Sequence, residues 1–105
     1  MITSFLKKWH KNRLLQKIYK LKELAAKQKS SAESAKSSVD SITNYIAIRQ
    51  RYAESGDYYS LAYLGAFLPK YLHQIEQHQA NYALYNQQYL NTLDEIKHLN
   101  DLLNR

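Results

Sequence analysis

A chain of 105 residues with no cysteine, two glycines and one proline has room for one domain, and it lacks the material for a disulfide framework, a thiolate metal site or the turn-rich connections of sheet-based folds. Its net charge of +6 is segregated: residues 1–36 carry ten Lys/Arg against Glu23 and Glu33, giving +8, while residues 37–105 carry five against seven Asp/Glu, giving −2. No apolar run approaches the roughly 20 residues that span a bilayer, and the first residues lack the apolar centre and cleavage site of a secretory signal, so a soluble, cytoplasmic chain is expected.

The first arm, residues 1–54, begins with a tip whose apolar face differs from that of the remaining arm. At 100° per residue Ile2, Phe5, Leu6 and Trp9 share one face, whereas Leu14, Ile18, Leu21 and Ala25 lie almost opposite. The tip therefore lines up with Arg13, Lys17, Lys20 and Lys27 as an outward stripe that is aromatic at its end and basic along its length, with Lys7, Lys8 and Lys11 around the tip itself. From Leu14 onward, spacings of four and three in alternation reach Ile18, Leu21, Ala25, Gln28, Ala32, Ala35, Val39, Ile42, Ile46 and Arg49, a seam at heptad spacing. Ser30-Ser31-Ala32-Glu33 has the form of a capping box, so a break near Ser30, which would turn two helices into three, is a second option.

Residues 55–57, Ser55-Gly56-Asp57, read as the turn: Gly56 suits a left-handed C-cap, and Asp57 or Ser55 an N-cap. A second seam occupies the arm 58–105, through Leu61, Gly65, Leu68, Leu72, Ile75, Gln79, Tyr82, Asn86, Tyr89, Leu93, Ile96, Asn100 and Leu103, with a kink or break expected near Pro69. A short connection makes the two arms antiparallel neighbours. The fold class expected is all-α, a single domain built as a long antiparallel helical hairpin of coiled-coil type. Ala25, Ala26, Ala32 and Ala35 then lie opposite Tyr82, Tyr85 and Tyr89, and small residues facing large ones is what close packing needs.

The same elements carry no complete catalytic motif. Glu95 and His98 share a helix face, but a di-iron bundle needs a second such pair and further inward Glu residues, which the first arm lacks. His73 and His78 are five apart, and there is neither a His-Glu-x-x-His pattern nor a Gly-rich phosphate loop. No enzyme, no metal and no cofactor are expected.

Surface chemistry carries the functional expectation. Exposed Phe5, Leu6 and Trp9 form one candidate contact patch, and Arg49, Arg51, Tyr58 and Tyr59 near the turn have the Arg/Tyr composition of interface hot spots. The leading expectation is a non-catalytic protein-interaction module, with another protein as partner and a homodimer as its assembly. Lys7, Lys8, Lys11, Arg13, Lys17, Lys20 and Lys27 suit anion or nucleic-acid binding, and the N-terminal amphipathic tip suits a membrane surface. No family is recognised: the turn lacks the Trp-x-Gly of small secreted helical hairpins of this size.

Overall fold

The computed structural model describes residues 2–105 and consists, among them, of two helices, α1 (Ile2–Glu54) and α2 (Tyr58–Leu103). The chain is an all-α helical hairpin. Packing divides it into two compact units, Met1–Ser30 with Tyr85–Arg105, and Ser31–Leu84. No helix among the described residues is long and apolar enough to cross a membrane.

The turn is built from paired caps. Gly56 has φ +96°, in the left-handed region that costs an L side chain strain. Its amide donates to the Ala53 carbonyl at 3.1 Å, and the Asp57 amide reaches the Tyr52 carbonyl at 2.9 Å. These are the two bonds of a Schellman motif and close the last turn of α1. Asp57 then opens α2. Its Oδ1 accepts from the amides of Tyr59 (3.1 Å) and Ser60 (3.3 Å), its Oδ2 accepts from the Ser60 hydroxyl (2.9 Å), and Ser60 is fully buried. The Ser60 hydroxyl, followed by the Ser60 amide, holds the Asp57 carboxyl below its ordinary pKa. A depressed folded pKa means that this stabilisation is complete above the unfolded value of about 3.9 and is lost as pH falls through the folded one. The thermal midpoint of the wild type is therefore expected to fall below about pH 4, and D57N to fall less in that window. At neutral pH, D57A is expected to melt about 4–8 °C lower; unchanged melting would deny the cap.

In the first unit Ile18, Ala25 and Ile96 form the buried core, with Leu21, Tyr89, Leu99 and Leu103 packed against it. Ala25 beside Tyr89 is the small-against-large pairing that the composition implies. Thr92 is buried in the same unit, its hydroxyl 2.7 Å from Oε1 of Gln28 and 2.9 Å from the Gln88 carbonyl, so the polar pair in the seam is satisfied. In the second unit Ala32, Ala35, Ile46 and Leu64 are buried.

Three sequence expectations change here. α1 does not break near Ser30, so the three-helix option is not realised. An N-cap residue needs non-helical dihedrals, whereas burial of Ala32 and Ala35 favours an unbroken face. α2 likewise runs through Pro69 as one helix, so of the kink or break expected there the break is not realised. Pro69 and Gly65, whose carbonyl the ring deprives of a partner, are both exposed, where an unbonded carbonyl costs less than in a core.

The third change concerns the seam of α2. Every α1 seam position from Leu14 to Arg49 is buried or half-buried. On α2 alternate positions are displaced by one: Leu64, Tyr71, His78, Tyr85, Thr92 and Leu99 turn inward, while Leu61, Gly65, Leu72, Gln79 and Leu93 are exposed. Leucine content favours the second set. Hydrogen-bond satisfaction favours the first, because Thr92 meets Gln28 and Tyr71 meets Tyr63 there.

Candidate functional site

The N-terminal turns of α1 lie on the outer side of the helix, as the periodicity requires. Ile2, Phe5, Leu6 and Trp9 are 77, 68, 53 and 50% exposed. The guanidinium of Arg13 stands 5.0 Å from the Trp9 ring centroid, a cation–π contact one turn along the helix. Trp9, His10, Arg13, Leu14 and Lys17 line an open groove of about 160 Å³, and Lys17 and Lys20 recur beside Leu21, Glu95 and Leu99 around another of about 230 Å³.

The basic residues divide by helix angle. Arg13, Lys17, Lys20 and Lys27 follow the apolar tip along the outer face, while Lys7 and Lys11 fall on the seam side and Lys8 between the two. All seven are exposed. Lysines where the seam would continue make that stretch unsuited to burial against another apolar face. Within this unit eleven Lys/Arg oppose four Asp/Glu, giving +7.

Arg and Tyr near the turn do not form a single patch. Arg51, Tyr58 and Tyr59 are exposed, the two tyrosines at 81 and 90%. Arg49 is drawn into the fold. Its Nε donates to the Tyr45 hydroxyl at 3.2 Å, and its guanidinium lies 5.4 and 5.3 Å from the ring centroids of Tyr45 and Tyr63. Tyr45 packs edge-on against Tyr63 and Tyr71 at 6.3 and 5.6 Å, the Phe67 ring lies tilted against Tyr63 at 4.7 Å, and the Tyr63 and Tyr71 hydroxyls are hydrogen-bonded. The Tyr63 hydroxyl, then Arg49, pulls the Tyr45 phenol below its ordinary pKa, and Tyr45, then Tyr71, pushes Tyr63 up. Arg49 thus finds a hydroxyl acceptor and two ring faces within the tyrosine cluster.

No protein-family model matches the chain, and no curated protein and no solved structure matches it.

Sequence reasoning missed the cluster of Tyr45, Tyr63, Phe67 and Tyr71. The spacing of four between Tyr45 and Arg49 and between Tyr63 and Phe67 was a usable signal, but joining the two helices required the register. Among the described residues no group of three or more His, Cys, Asp or Glu is placed to hold a metal ion.

Proposed function

We propose that the chain is a non-catalytic protein-interaction module whose α1 tip and outer basic stripe dock a partner protein through an acidic surface flanking an apolar pocket. One observation carries this reading: Ile2, Phe5, Leu6 and Trp9 are exposed together, in line with Arg13, Lys17, Lys20 and Lys27. Large aromatic and aliphatic side chains held in water cost free energy that a contact surface recovers. A basic stripe continuing the same face adds electrostatic steering and register. The grooves are open to solvent, which suits side-chain docking better than enclosure of a reacting substrate.

Aliphatic Ile2 and Leu6 favour a protein over nucleic acid, which uses planar side chains for stacking and cations for phosphates. A photo-crosslinking residue replacing Phe5 in the cells that make the chain tests the reading. A discrete protein adduct is expected, diminished when Lys17 and Lys20 are changed to Glu. The proposal is overturned if no protein adduct forms while the purified chain retards oligonucleotides with a steep loss on adding salt, or sediments with anionic vesicles.

A further inference from the structure

α2 carries two overlapping apolar seams, and α1 covers only one of them. Leu64 and Tyr71 face inward, whereas Tyr58, Leu61, Gly65, Leu68 and Leu72, spaced by three and four, run beside them as a second stripe. Leu61 and Leu72 are 58 and 49% exposed, and Leu68 is half-buried. Gly65 sits between them in mid-helix, where glycine disfavours the helix relative to alanine, and a Cβ added there would meet nothing within 4 Å. Ala53, Leu61, Leu64, Gly65 and Leu68 line an open groove of about 470 Å³ along this stripe.

We infer that this second seam is the face on which a second copy of the chain packs. Area permits it: the chain exposes 8335 Å² for a mass of 12.4 kDa, above the about 6,100 Å² of a compact monomer of that mass, so there is surface to spare for a standard interface of about 800 Å² from each partner.

Charge chooses the same occupant. The stripe belongs to the unit Ser31–Leu84, in which four Lys/Arg oppose five Asp/Glu, giving −1, so two copies meet there without the repulsion that the +7 unit would impose. The stripe is also self-complementary in size, because a leucine of one copy fits over the Gly65 notch of the other, as a two-fold interface requires. This surface is separate from the docking tip, so the two readings fail independently.

Sedimentation equilibrium of the full chain over roughly 1 to 200 μM is expected to show a mass rising to twice that of the chain, with little response to salt. L72E and, separately, G65L are expected to weaken the dimer at least about tenfold with helicity unchanged, because both positions are open in the single chain. L84E, at an exposed leucine off the stripe, and W9A are expected to leave the dimer intact. The inference is overturned by a chain that stays monomeric throughout, or by an L84E chain that dissociates as readily as L72E. It is also overturned if G65L and L72E, folded by circular dichroism, dimerise as well as the wild type.

Discussion

Replacing Ile18 with Ala is expected to destabilise the fold by about 2–5 kcal/mol, a large share of the roughly 5–15 kcal/mol that a domain of this size possesses. Ile18 is 4% exposed and packs with Ala25 and Ile96, against which Leu21, Tyr89, Leu99 and Leu103 are already engaged, so its truncation leaves a vacancy in the core cluster of this unit. Leu15 lies nearby, off the seam, and is 45% exposed; its replacement by Ala is expected to change stability by far less than that of Ile18, about 0.5 kcal/mol. Urea unfolding followed by helicity at a fixed chain concentration checks both. Equal midpoints for the two variants would mean that the seam is not where the structure places it.

The double change Phe5→Ala, Trp9→Ala is expected to weaken binding to the cross-linked partner by about a hundredfold or more, since two large anchors each contribute on the scale of an interface hot spot. Its unfolding midpoint should match that of the wild type, because both side chains are at least half exposed. Reversing Lys17 and Lys20 to Glu acts differently. It should slow association and flatten the salt dependence while leaving dissociation nearly unchanged. Titration calorimetry and stopped-flow mixing separate the cases, and full affinity in the double-alanine variant would remove the tip from the interface.

Much of the architecture was legible in the chain itself. Heptad spacing from Leu14 to Arg49 marks the inner face of α1, and that face is buried or half-buried along its length. Gly56 followed by Asp57 marks the turn, where the left-handed φ and the double cap are found. The tip could be placed off the seam because 100° per residue is a local property, independent of any partner. Charge segregation likewise needs only counting.

Tertiary structure alone decided between the two seams of α2. Leu61, Leu72 and Leu93 are better hydrophobes than Tyr71 and Thr92, and local pattern counts hydrophobes. The facing helix instead rewards side chains that find specific partners across the seam: Thr92 a hydrogen bond to Gln28, and Tyr71 an edge-on contact with the Tyr45 ring, its hydroxyl bonded to Tyr63 on its own helix. The same distinction explains Arg49. As a residue type it belongs on a surface, yet Tyr45 one turn before it and Tyr63 on the other helix supply a hydroxyl and two ring faces that satisfy its charge. Continuity through Ser30 and Pro69 has the same origin, because burial on either side of a weak point outweighs a local preference to stop. Periodicity and capping chemistry are written residue by residue, whereas the choice among competing faces depends on what the opposite helix presents.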